Sequence, residues 1–343
     1  MGSALPPGKT RPSTRLSLAN EEKAKTDRFT DQIAKLVGAG AITRACQHLT
    51  SDGVQDARSE EVLVRLKTLH PTEVPPIAPL PPAGSQLEFG TSVEEVEVRL
   101  QALRKTIWAF PKESAPGPSG LRPDHLKDML GELPGEHGAG LLLELDRFVI
   151  YSISQGWPSD MASVLCAARL APLRKVSAGT FVEDPFGNSV PVTEAQEEGT
   201  RPIAAGETLR RLCAKVLMRT PAVLQAVREL HPPQVGVGVK SACPMVAMGV
   251  QQIVSHMHIS RNDSWAVLQV DFRNAFNCVS RQKLLDSIAE RCPEALRWFN
   301  TCYAQHSNLY VGDTTIRSES GLQQGDPGGL QDSAGRCMIY ARP

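Results

Sequence analysis

Aromatic side chains are scarce in this chain: Phe, Trp and Tyr make up 5% of its 343 residues. That excludes a base-stacking platform built on many exposed rings. No apolar run approaches the roughly 20 residues that a helix needs to cross a bilayer. The N-terminus, Met1-Gly2-Ser3-Ala4-Leu5-Pro6-Pro7, lacks the apolar core of a secretory signal. The cysteines, at 46, 166, 213, 243, 278, 292, 302 and 337, include no C-x-x-C pair. They are too sparse for a secreted disulfide framework and point to reduced thiols in an intracellular protein. The rings of His256-Met257-His258 fall on different faces of a helix, which argues against a zinc site. No internal repeat is evident.

Net charge is missing as well, with 37 Lys and Arg balanced by 37 Asp and Glu. The balance is uneven along the chain. Residues 201–343 hold sixteen basic against eleven acidic side chains, and residues 1–200 hold the opposite excess. A basic C-terminal part suits a phosphate-bearing partner; ordinary surface variation would produce the same numbers.

With 41% hydrophobic residues the chain can bury a core. Residues 1–20 are polar and rich in Pro and Ser, and disorder is expected there. Helices are predicted over 20–49 and 59–69, so residues 1–69 form a helical and disordered extension. Residues 70–84 contain six prolines, which cannot donate backbone hydrogen bonds, and read as a linker. Ser92 and Glu95 form a capping-box pattern opening a helix to about Trp108. Further helices are predicted at 124–130, 140–154, 208–230, 242–255, 281–290 and 294–306. A strand over 168–176 ends in Arg174-Lys175. The turn signal Asp184-Pro185-Phe186-Gly187-Asn188 folds the next strand back toward Arg201-Pro202-Ile203. A hairpin is expected at Leu309–Ile316, with Gly312-Asp313 at its turn. Gln234 to Ser241 resembles a P-loop superficially, but Val239 stands where that motif needs Gly directly before the Lys.

The most informative stretch is Val267 to Asn277. A β-prone run from Trp265 to Val270 stops at the carboxylate Asp271, and Phe276 follows five residues later. A carboxylate at a strand end can hold magnesium where phosphates arrive, and paired metals of this kind serve polymerases and nucleases. About fifty residues on, Gly321-Leu322-Gln323-Gln324-Gly325-Asp326-Pro327 forms a Gly/Gln/Pro loop. Each residue has an ordinary alternative. Asp271 could cap a turn, Phe276 could be a core ring, Gln324 could sit in a plain surface loop, and Lys175 could be a solvated surface charge.

Asp271-Phe272-Arg273-Asn274-Ala275-Phe276 resembles the first catalytic-carboxylate motif of reverse transcriptases, and Gly321–Pro327 resembles their Gln-Gly loop. Pro116-Gly117-Pro118-Ser119-Gly120 and Arg201-Pro202-Ile203 resemble two upstream finger motifs. The four stand in the family's order, closest to the non-LTR retrotransposon and group II intron kind. The resemblance implies an α+β fold, mostly helical, made of right-hand polymerase fingers and part of a palm over residues 85–330. It implies RNA-templated DNA synthesis with Mg2+ held by Asp271, acting on an RNA template, a DNA primer and deoxynucleotide triphosphates. Lys175, Arg201, Phe272, Phe276, Gln324 and Gly325 would surround the nucleotide: the two cations against its phosphates, Phe276 under its sugar, Gln324 and Gly325 along its base or template. Nuclear location follows from the retroelement resemblance alone, and no membrane association is expected. The family continues with an Asp-Asp turn that the sequence lacks, and residues 331–343 look unrelated to it. The expectation is therefore an incomplete, inactive polymerase domain; the alternative is a non-catalytic nucleic-acid-binding remnant.

Overall fold

The computed structural model describes residues 27, 30–35, 37–38, 53–131, 135–175, 181–183, 189–191, 199–229, 235, 239, 241–260, 274–323 and 326. The chain divides into two units, residues 1–51 with 111–113 and residues 52–110 with 114–343. In the smaller unit, positions 30–35 and 37–38 are helical, within the predicted 20–49 helix.

The larger unit combines α-helices with a four-stranded mixed sheet. Its helices are α1 (Glu60–Leu69), α2 (Val93–Trp108), α3 (Pro123–Leu130), α4 (Glu136–Ser154), α5 (Ser159–Leu165), α6 (Thr208–Leu217), α7 (Pro221–Arg228), α8 (Ala242–Ser260), the short α9 (Ala275–Cys278), α10 (Arg281–Arg291) and α11 (Leu296–Tyr303). The α2 start follows the sequence signal. Ser92 Oγ accepts from the Glu95 amide at 3.2 Å, and the Glu95 carboxylate accepts from the Ser92 amide at 3.1 Å. The single helix predicted over 208–230 is instead two. Pro221 has no N–H to continue α6, and it becomes an early residue of α7, where that donor is not needed. The 294–306 helix likewise divides, into a 3-10 turn at Pro293–Ala295 and α11.

These helices bury one core, in which Ile107, Ile153, Leu212, Leu217, Leu284, Leu285, Leu296 and Trp298 lose essentially all solvent. Each such aliphatic side chain contributes about 1.5–3 kcal/mol through burial. Helices α2 and α4 are also clamped by Arg99, whose Nε lies 3.0 Å from each Asp146 oxygen and whose Nη1 donates to the Gly90 carbonyl at 2.6 Å.

The sheet runs β4-β1-β5-β6, with β1 at Ala168–Lys175, β4 at Gly199–Gly206, β5 at Ser307–Val311 and β6 at Thr314–Ser318. β1 pairs antiparallel with β4 along its full length and parallel with β5 at two positions. Between β1 and β4 in sequence lies a separate pair, β2 (Phe181–Glu183) with β3 (Ser189–Pro191). The turn predicted at 184–188 falls outside the described residues.

Helix α1 covers one sheet face. Val62 and Leu66 pack on Ala168, Leu170, Ala204, Leu309, Val311 and Ile316. Residues 53–55 extend the sheet further. The Gln55 amide donates to the Pro172 carbonyl and the Arg174 amide to the Gly53 carbonyl, both at 2.9 Å. Residues 53–69 are thus integral to the sheet's core rather than part of a separate extension. Residues 70–84 form no helix or strand and lie within the larger unit rather than dividing it.

Candidate functional site

Two sequence motifs more than forty residues apart meet in the structure. Asn274 adopts a left-handed conformation, φ 54°, and starts the α9 turn. Its side chain ties the turn down, donating to the Leu69 carbonyl at 2.8 Å and accepting from Asn277 Nδ2 at 3.0 Å. The segment after β6 then docks on this turn. The Gly321 amide donates to the Val279 carbonyl at 2.9 Å, and the Leu322 amide donates to the Phe276 carbonyl at 2.7 Å. Ser320 Oγ donates to the Asn277 carbonyl at 2.6 Å. Only glycine fits at 321. Its φ is +66°, and a Cβ there would lie 2.3 Å from the Phe276 oxygen and 2.4 Å from Asn277 Cα.

Two buried arginines hold the rest of this segment. Arg281, at the start of α10, donates to the Gly321 carbonyl from Nε at 2.9 Å, to Ser318 Oγ and the Ser320 carbonyl from Nη2, and to the Gln305 carbonyl from Nη1. Burial lowers its pKa to about 10, so it remains charged at neutral pH. Arg210 on α6 pairs with Asp326 at 2.5 Å, with 1% and 3% of the two side chains exposed. Arg210 also donates to Gln323 Oε1 at 2.5 Å, to the Cys166 carbonyl at 3.1 Å and to the Tyr303 hydroxyl at 3.1 Å. Burial pulls the Arg210 pKa down more than any one neighbour raises it, but Asp326 together with Cys302, Cys166 and Tyr303 leaves the guanidinium well above its usual value.

The network closes on itself. The Tyr303 hydroxyl donates to Asp326 at 2.6 Å, and Gln323 Nε2 donates to the Cys166 carbonyl at 2.7 Å and to Ser307 Oγ at 3.2 Å. Burial, then the neighbouring Asp326 charge, raises the Tyr303 pKa well above normal and keeps its phenol protonated as that donor. Gln323 and Asp326 flank positions 324 and 325, so both sides of the Gln-Gly pair are anchored through Arg210.

The upstream motif is fixed on the same helix. Glu207 precedes α6, and its carboxylate accepts from the Ser119 amide at 2.7 Å and from Ser119 Oγ at 2.6 Å. A Cβ on Gly117 would fall 2.6 Å from Glu207 Cα, so the Pro-Gly-Pro-Ser-Gly loop approaches the helix as only glycine allows. Arg211 and Arg169 reach back to the loop carbonyls of Ala115, at 2.7 Å, and Pro118, at 3.4 Å.

The sheet face opposite α1 carries several exposed cations, while Arg174 is exposed on the α1 side. Register places Ala205, Arg169, Tyr310 and Thr315 in one cross-strand row. Arg201, opposite Leu173, and Arg317 share that face. Arg169, Arg201, Tyr310 and Arg317 are exposed, and no acidic residue lies among the face's strand positions.

Of the residues singled out from sequence, Phe276 is half-buried in the α9 turn, Arg201 is exposed on β4, and Lys175 ends β1 opposite Gly199. Asp271, Phe272, Gln324 and Gly325 lie outside the described residues, as does the strand expected over 265–270. Among the described residues no group of three His, Cys, Asp or Glu side chains could hold a metal ion, and no helix is long and apolar enough to cross a membrane.

Sequence reading missed Arg210, Arg281, Tyr303 and Glu207. For the arginines a signal exists. Arg210 heads the stripe Cys213, Ala214, Leu217, and Arg281 heads the stripe Leu284, Leu285, Ile288. A cation at the i position of an i+3, i+4, i+7 apolar stripe must enter the core with its partners. No family model matches the chain, and no curated protein is significantly similar to it.

Proposed function

We propose that residues 85–330 are the fingers and adjoining palm edge of a reverse-transcriptase-type polymerase, gripping an RNA template, a DNA primer and an incoming deoxynucleotide triphosphate. The observation that carries the reading is the docking of Gly321–Leu322 on the Phe276–Asn277 turn. It brings together, through backbone hydrogen bonds, the two motifs that would face one nucleotide. A glycine required by close approach rather than by a free loop is what a built site needs there.

The sheet supports the same reading. Arg201 and Arg169 offer planar forks for phosphate oxygens, and Tyr310 in the row beside Arg169 offers a ring for a base. Asp271 is the carboxylate that would hold Mg2+, and the ion would supply positive charge against the triphosphate.

A salt titration of fluorescence anisotropy tests this, using a labelled RNA template annealed to a DNA primer. The proposal expects affinity to fall linearly on a log–log plot as salt rises, with a shallower slope in an Arg169→Ala/Arg201→Ala variant because two phosphate neutralisations are gone. An unchanged slope in that variant would remove the sheet face from the interface. No binding at low salt would remove the reading.

A further inference from the structure

Helix α2 carries a stripe of unlike side chains along one face. Gln101, Arg104, Lys105 and Trp108 follow the i, i+3, i+4, i+7 spacing of that face, and together they line a cleft of about 480 Å³. That volume lies in the range of small-ligand sites. None of these lining residues is acidic. Arg104 is fixed in place: its Nη2 donates to the Gly131 carbonyl at 2.7 Å, and its guanidinium carbon lies 4.7 Å from the centroid of the Trp108 ring. Trp108 is still 37% exposed, whereas Trp298 is buried and Trp157 half-buried. Gln101 and Lys105 are exposed. Beside the stripe, Arg219, just after α6, donates from Nη1 to Thr106 Oγ1 and is exposed as well. Ordinary causes cover parts of this. A Lys in the last turn suits the helix macrodipole, and an Arg over an indole is attracted to it on any surface. Neither accounts for a cleft lined by an indole, two cations and an amide.

We infer that the α2 cleft holds a nucleotide unit of a single-stranded nucleic acid, its base stacked on the Arg104–Trp108 pair and its phosphate on Lys105. Unpaired bases are held by stacking on aromatic rings and guanidinium planes. The Lys105 ammonium neutralises a phosphate as a point charge. The Gln101 amide offers a base edge both a donor and an acceptor. Arg219, beside the same helix, adds a second phosphate contact, which favours a strand over a free nucleotide. An acidic peptide would use the cations and leave the indole without a partner. The cleft shares no residue with the Gly321–Phe276 site, so the inference stands apart from the polymerase reading.

The test uses the full chain and an unprimed RNA octamer containing 5-iodouridine, with neither Mg2+ nor deoxynucleotide triphosphate, so that failure here is distinct from failure at the polymerase site. Irradiation is expected to link the octamer to Trp108, as mapped by mass spectrometry. Trp108→Ala is expected to weaken binding about fivefold or more by fluorescence anisotropy, and Trp108→Tyr, which keeps a ring, to restore most of the affinity. Lys105→Gln is expected to make the slope of log affinity against log salt shallower by about 0.7, the share of one single-strand phosphate. Unchanged affinity in Trp108→Ala overturns the inference, as does a loss that Trp108→Tyr fails to recover or an adduct map without Trp108. Uridine monophosphate competing as well as unlabelled octamer would assign the cleft to a free nucleotide, and polyglutamate doing so would reduce it to a charged patch; either result overturns the strand assignment.

Discussion

Replacing Gly321 by alanine isolates the close approach that joins the two motifs. At φ +66° any Cβ meets left-handed strain of about 1–2 kcal/mol. Here the Cβ would also sit 2.3–2.5 Å from the Phe276 oxygen and the Asn277 backbone, neither of which is the flexible end of a side chain. The segment must then withdraw and lose the Gly321–Val279 and Leu322–Phe276 hydrogen bonds, each about 0.5–1.5 kcal/mol. The expected loss is about 2–5 kcal/mol, or a fall of roughly 4–10 °C in melting temperature for a unit of this size. Gly120 is the matched control. Its φ is +81°, and nothing lies within 4 Å of the Cβ position, so Gly120→Ala carries only the strain of about 1–2 kcal/mol. Thermal and urea unfolding of the two variants reads the difference directly. Equal losses would refute the argument that position 321 is shaped by docking rather than by dihedral alone.

Asp326→Asn leaves the Arg210 guanidinium buried without its counter-charge and should cost about 3–5 kcal/mol. The Arg210→Met/Asp326→Leu double variant should lose less than the single changes added together, and strict additivity in urea unfolding would mean the pair is not coupled. His70 is held neutral: burial lowers its pKa below 6.5, and its ring Nδ1 lies 2.7 Å from the Leu66 carbonyl as donor. The unfolded chain therefore binds the proton more readily, so stability should fall as pH drops below about 6.5 and be insensitive to this group above it. His70→Gln should flatten that dependence between pH 7.5 and 5.5; an unaltered slope would acquit His70. Ser92→Ala removes the α2 cap and should cost about 1 kcal/mol, read as a shift in urea midpoint without a change in its slope.

Local rules were legible wherever one residue type dictates the backbone. The Ser92 cap, the Gly312-Asp313 hairpin and the strand ending at Lys175 stand as their residues imply. Pro221 was visible too, and its missing N–H explains the break that helical periodicity alone ran across. Tertiary partnership was not legible. Nothing in residues 53–58 announces a strand extension beside β1, because that pairing rests on backbone groups every residue carries. For the candidate site, sequence supplied the motif positions but not what holds them. Arg210 and Asp326 are 116 residues apart, and no local pattern names such a partner. The hydrophobic stripe containing Arg210 says only that some partner is required.

The most direct test of the polymerase reading is photo-crosslinking. The chain is mixed with a primed RNA template, Mg2+ and a photoreactive deoxynucleotide triphosphate, and the adducts are mapped by mass spectrometry. The account predicts labelling within residues 271–276 and 323–326 and at Arg201, suppressed by excess unmodified nucleotide. Labelling confined to other segments, or labelling that unmodified nucleotide does not suppress, would contradict the claim that these two motifs face a single nucleotide.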